Sequence, residues 1–141
     1  MKLCLPTVYA AALLIAGCGD SGESSADLCA DRAGGARITL DIAGTETLTV
    51  WSENDAFIAE ARALESTGDR RIPMFNDLVD GRDCDAQWSW HVDPTDMEWV
   101  DASIELCDAV PSGIEGDRSY WLDTVDQYCP WAASVASVVE Q

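Results

Sequence analysis

The chain has 141 residues, with 26 Asp or Glu against eight Lys or Arg and a formal charge of −18. That length fits one domain with appendages. A surface so negative repels phosphate backbones and anionic headgroups, which argues against a nucleic-acid partner.

The first 17 residues stand apart from the fold. Lys2 supplies a short positive region, and the apolar run that follows is too short and too close to the start for a good membrane span. The run ends in Ile15, Ala16, Gly17 and Cys18, which resembles the lipobox of bacterial lipoproteins. The resemblance implies cleavage before Cys18, diacylation of its sulfur, and an exported protein held to a bacterial cell-envelope membrane. Each lipid CH2 buried contributes about 0.8 kcal/mol, so two or three chains anchor durably. Cleavage removes Lys2 and leaves seven arginines against 26 acids, 7 − 26 = −19.

Residues 18–36 are small and polar, too poor in large apolar groups to offset chain entropy. They read as a flexible tether. The remaining stretch, 37–141, reads as a single domain whose modest core calls for staples. With Cys4 removed and Cys18 acylated, Cys29, Cys84, Cys107 and Cys129 remain. An even number in a small exported domain implies disulfides, with three possible connectivities. Zinc sites bring ligands in close pairs, whereas here 54, 22 and 21 residues intervene. The expected pairing is Cys29 with Cys84 and Cys107 with Cys129, the first pinning the tether to the loop around Asp83.

Along the chain, 37–42 alternates with Ile38, Leu40 and Ile42 on one face, and 46–51 repeats the pattern with Leu48 and Val50. Gly44 lies in the turn between them, which predicts a β-hairpin. Residues 52–68 switch to helical spacing: Ser52 or Asn54 as cap, Phe57, Ala61 and Leu64 on one stripe, Gly68 as stop. Residues 70–75 predict a strand confined to an edge by Pro73, and 76–86 a loop. In 87–93, Trp88, Trp90 and Val92 share one face and Ser89, His91 and Asp93 the other. Residues 98–107 alternate again, with Val100, Ala102, Ile104 and Leu106 together. Matching apolar faces predicts a hairpin that pairs Trp90 with Val100 and sets His91 opposite Trp99. Pro111 can open a turn, the stretch 114–128 is irregular, and 129–140 predicts a helix with Trp131, Val135, Val138 and Val139 on one stripe. The expected fold class is α+β: a small antiparallel sheet with helices packed on one face, stapled by disulfides.

Ser89, His91 and Asp93 invite a hydrolase reading. Alternate residues of a strand stand about 6.6 Å apart, whereas a nucleophile and its base need about 3.2 Å, so the arrangement argues against catalysis. Laid on the calcium-loop frame, Asn76, Asp80 and Gly81 fit the first, fifth and sixth positions, but Leu78 fails the third and Gln87 replaces the bidentate Glu. A looser calcium or other divalent-cation site could use Asp77, Asp80, Asp83 and Asp85. His91 with Asp93, or with Glu105 and Asp108, could hold a metal; the commoner role is a structural hydrogen-bonding group, here packed on Trp99. The tryptophans of 88–99 read as core, or as the lining of a binding groove.

Three fragments, 88–94 (WSWHVDP), 104–109 (IELCDA) and 129–131 (CPW), together resemble the N-terminal domain of a calmodulin-binding protein family described in social amoebae and found also in bacteria and fungi. The family pattern falls on Trp88 to Pro94, on Glu105 to Asp108, and on Cys129 to Trp131. Its two cysteines fall on Cys107 and Cys129, which supports that bridge. The resemblance implies a hydrogen-bonded cluster of His91, Asp93, Glu105 and Asp108 near the disulfide. It implies little about activity; with no assembled catalytic constellation, the expectation is no enzyme and no cofactor beyond the calcium reading above. Because bacteria generally lack calmodulin, an anchored bacterial version would use the domain to bind another protein or a small molecule.

Overall fold

The computed structural model describes residues 28–141; the lipobox and the signal-like run lie outside the described residues. Among the described residues, seven strands make three antiparallel units. The first is a three-stranded sheet in the order β2-β1-β7, formed by β1 (Ala36–Ile42), β2 (Glu46–Ser52) and β7 (Ala133–Glu140). The other two are ribbons: β3 (Ile72–Phe75) with β6 (Met97–Val100), and β4 (Leu78–Asp80) with β5 (Trp90–Val92). The α+β class holds.

The first hairpin follows the sequence pattern. Ile38 faces Val50 and Leu40 faces Leu48, which buries matched apolar pairs on one side. The turn places Ala43 and Gly44 at φ 58° and 70°, and Asp41 Oδ1 accepts the Gly44 amide at 2.7 Å. Helix α1 (Asp55–Thr67) also follows. Asn54 is its cap, with Oδ1 accepting the Phe57 amide at 3.1 Å. Gly68, at φ 73°, closes it by donating to Leu64 O. The buried stripe is Phe57, Ile58, Ala61 and Leu64, packed toward β7, β6 and the hairpin.

The stretch 129–140 is a correction. It forms strand β7, with Val138 opposite Ile38 and Val135 opposite Leu40 across a bulge. Its valines satisfy a helical stripe on paper, but they are β-branched and suit a pleated surface. As a helix the segment would leave the outer edge of β1 without backbone partners.

The predicted hairpin of residues 87–107 is a second correction. β5 pairs with β4, not with β6: Leu78 faces Val92, Val79 faces His91 and Asp80 faces Trp90. β6 pairs with β3, so Trp99 faces Pro73. The segment expected as a loop therefore contains a strand. The alternation of 98–107 stops at Val100, and Glu105–Cys107 forms one tight turn that leaves Ile104 and Leu106 exposed.

The units meet in an aromatic core. Trp99 stacks on Phe57 with centroids 4.7 Å apart. Phe57 lies 6.0 Å from Phe75, Phe75 stacks on Tyr128, and Trp90 meets Tyr128 edge-on at 5.6 Å. Offset and edge contacts of this kind add about 0.5–1.5 kcal/mol each beyond area burial. A backbone bridge between Phe75 and Tyr128 ties the β3 ribbon to the C-terminal segment. That segment comprises α2 (Pro111–Gly116), the single turn α3 (Arg118–Tyr120) and a wide turn over Trp121–Val125.

Both expected disulfides are present. Cys29 joins Cys84 with Cα atoms 5.1 Å apart, and Cys107 joins Cys129 at 5.2 Å. From Leu28 on, the stretch assigned to the tether lies against the domain. Cys29 is buried, Arg32 pairs with Asp83 through both terminal nitrogens, and its guanidinium lies 5.6 Å from the Trp51 ring centroid. The Gly34 amide donates to Gln141 O at 2.7 Å.

Candidate functional site

The motif residues can be taken one at a time. Trp90 is buried in the core. Trp88 is half-buried and donates from Nε1 to Thr47 O at 3.1 Å, beside a shallow groove along the hairpin turn. Trp99 is buried and donates to Phe57 O at 3.0 Å. Two of the three tryptophans are thus sealed in the core, and Trp88 alone of them borders the hairpin groove among the described residues.

His91 stands opposite Val79, not Trp99. Its Nδ1 lies 2.8 Å from Gly81 O. A carbonyl can only accept, so Nδ1 carries the proton and the ring braces the glycine turn that ends β4. Asp93 turns the chain after β5. Its Oδ1 accepts from Thr95 N at 2.8 Å, Thr95 Oγ1 at 2.6 Å and Asp96 N at 3.3 Å. The Thr95 hydroxyl and amide hold this carboxyl below the ordinary range, with the Asp96 amide and nearby His91 adding to them. Pro94 O accepts the Glu53 amide, joining this turn to the start of α1.

Glu105 and Asp108 lie elsewhere, on the turn around Cys107. Asp108 Oδ1 accepts the Trp131 amide at 2.9 Å, and Trp131 Nε1 donates to Ser103 Oγ at 2.7 Å. Cys129 N donates to Cys107 O at 2.8 Å. The second and third motifs thus interlock around their disulfide, while the first braces the β4–β5 ribbon. The implied four-residue cluster is corrected: His91, Asp93, Glu105 and Asp108 do not share one network.

The acidic segment disperses in the same way. Asp80 pairs with Arg118 Nε at 3.3 Å, and Asp83 pairs with Arg32. Asp85 is buried, accepting Thr49 N at 2.8 Å on one oxygen and Gln87 N at 3.0 Å on the other. Asp77 faces Asp126, Asp96 and Asp93 instead; loss of water and then these three charges raise its carboxyl above the ordinary range. Leu78–Asp80 is a strand, so the calcium-loop frame fails on backbone geometry. Among the described residues, one group of three potential ligands converges, Cys29, Asp83 and Cys84, and its sulfurs are committed to a disulfide.

The structure also joins residues that spacing could not connect. Ser89 Oγ donates to Glu115 Oε1 at 2.6 Å and its amide donates to Oε2 at 3.0 Å. Arg118 donates to Ser89 Oγ and reaches Asp80. These bonds from Ser89, with the charges of Arg118 and Arg82, hold Glu115 below the ordinary carboxyl range. A carboxylate so stabilised is a poor general base, and this network brings no imidazole to Ser89. Its place beside the open groove of Asp80, Glu115, Arg118, Ser119, Leu122 and Asp123 was hidden because Ser89 and Glu115 are 26 positions apart.

Residues 36–141 match the family described as the BP-74 N-terminal domain. The chain belongs to that family. It is the family the three motifs resembled, and the match covers nearly all of the folded part. Neither a curated protein nor a solved structure matches the chain. In this member of the family the signature residues are explained by the fold: Asp93 and His91 shape turns, Cys107, Asp108, Cys129 and Trp131 form one interlocked knot, and Trp90 fills the core.

Proposed function

We propose that this chain is a lipid-anchored protein of the bacterial cell envelope whose folded domain binds a partner without catalysing a reaction. The observation that carries the binding reading is the commitment of the motif's polar side chains to the fold: His91 to Gly81, Asp93 to its turn, Asp108 to Trp131, Ser89 to Glu115. Two disulfides in one small domain support an oxidising, exported setting. The lipobox supports anchoring through Cys18. The partner is a protein or a small molecule; the divalent-cation reading has lost its convergent ligands.

Anchoring is tested by palmitate incorporation in cells producing the chain. Label on the wild type and none on Cys18→Ser supports it, and an unlabelled membrane-free wild type overturns it. The non-enzymatic reading is tested on a panel of ester and peptide substrates. Turnover that disappears in His91→Ala or Ser89→Ala overturns it.

A further inference from the structure

Six large apolar side chains are well exposed among the described residues, and three of them sit at the Cys107–Cys129 knot: Ile104 at 60%, Leu106 at 59% and Trp131 at 43%. They are held there rigidly. Ile104 and Leu106 flank and enter the turn whose Cys107 is buried and bridged to Cys129. Trp131 spans the two ends of the same segment, its indole bonded to Ser103 and its amide to Asp108. Exposed apolar groups on a preorganised backbone lose little entropy on binding, and a cluster of them on an otherwise polar surface marks an interaction site.

The charges around the cluster select its occupant. Glu105 lies between Ile104 and Leu106, Asp108 follows, and Asp101 precedes them, its side chain 86% exposed and shared with Arg71. Acidic residues therefore stand within and beside the apolar segment in sequence, Asp101 paired with Arg71 and Asp108 bonded to the Trp131 amide, on a chain whose net charge is −18. A second copy brings the same negative rim and the same negative body. An anionic membrane surface is repelled for the same reason. The complementary partner carries apolar side chains interleaved with Lys or Arg.

We infer that the surface formed by Ile104, Leu106 and Trp131 docks a basic amphipathic segment of a partner protein, its apolar side chains on the cluster and its cations on Glu105. The inference rests on the binding-module reading and names its surface and the chemistry of its partner.

The test uses the oxidised chain in physiological salt, with two synthetic helical peptides of one apolar face, one carrying Lys and the other Glu on the polar face, read by calorimetry. The expected result is binding of the Leu/Lys peptide, weakened at least tenfold in the Ile104→Ser/Leu106→Ser variant and a few fold in Glu105→Gln, with no binding of the Leu/Glu peptide. Both changes lie at exposed positions, and unchanged circular dichroism with four oxidised cysteines verifies the fold. Equal binding of both peptides, or binding indifferent to the two serines, overturns the inference. So does self-association of the chain without peptide that the serines abolish, or binding to phosphatidylglycerol vesicles that they abolish. Failure of the peptides to bind removes this surface alone, whereas substrate turnover removes the binding-module reading; the two results are separate readouts.

Discussion

The side chain of Asp108 accepts the backbone amide of Trp131 at 2.9 Å, just beyond each half of the Cys107–Cys129 bridge. A covalent bond, the Cys129 N to Cys107 O bond and this carboxylate contact thus join the same two segments. The arrangement fixes where the chain enters β7. Asp108→Ala removes one charge-assisted acceptor from a solvent-accessible amide, and its expected cost is about 1 kcal/mol. Urea denaturation measures it; an unchanged midpoint counts against a positioning role for Asp108.

The Cys29–Cys84 bridge holds residues 28–35 on the domain. Replacing both cysteines by serine is expected to cost about 2–4 kcal/mol and to expose this stretch. Limited proteolysis followed by mass spectrometry checks the second part: new cleavage between 28 and 35 in the variant, with the wild type resistant there. Mass spectrometry of wild-type material should likewise find none of Cys29, Cys84, Cys107 and Cys129 as free thiols.

Gly35 is required by close approach, not by an unusual φ. A Cβ there would collide with Ser52 O and stand 2.7 Å from the Trp51 ring. Neither the backbone oxygen nor a buried indole can move aside cheaply. Gly35→Ala is expected to destabilise by about 2 kcal/mol, as overpacking does. Gly34→Ala, with open space but φ 82°, should cost about 1 kcal/mol through strain alone. Thermal melts of the pair compare the two mechanisms.

Asp77 makes a pH prediction. Its carboxyl is raised, by loss of water and then by Asp126, Asp96 and Asp93, so the fold favours the neutral form. The stability this group contributes is full below its ordinary value of 3.8 and is lost as pH rises through the raised value. Asp77→Asn keeps the site neutral. It should therefore raise Tm at pH 7, with the gain shrinking as pH falls toward the ordinary carboxylate range. Asp93 runs the other way: its carboxyl is depressed, so its contribution is present above its ordinary value and lost on acidification. Melts of wild type and Asp77→Asn across pH 3–7 separate the two, and a gain that is independent of pH contradicts the electrostatic cause.

The elements legible in the sequence are the local ones. The β1–β2 hairpin needs a two-residue alternation and a turn at Gly44, and α1 needs a stripe, an Asn54 cap and a Gly68 stop; both depend on neighbours within a few positions. The even count of cysteines announced disulfides, and the three motifs announced the family. Alternation placed Ile104 and Leu106 on a buried strand face, whereas both are exposed, and the expected cluster of His91, Asp93, Glu105 and Asp108 divides because adjacency in a motif is not adjacency in space.

By itself the sequence determined the α+β class, the hairpin, the capped helix, the presence of disulfides and the acidic character. Those follow from propensity, periodicity and composition, which act over short spans of chain. Only the tertiary structure decided that β5 pairs with β4 and β6 with β3, and that 133–140 is a strand closing the edge of β1. Backbone amides and carbonyls must all find partners, and an apolar pattern is compatible with several of them. Which partner wins depends on what the rest of the chain leaves open, and that competition is settled only when the whole core packs.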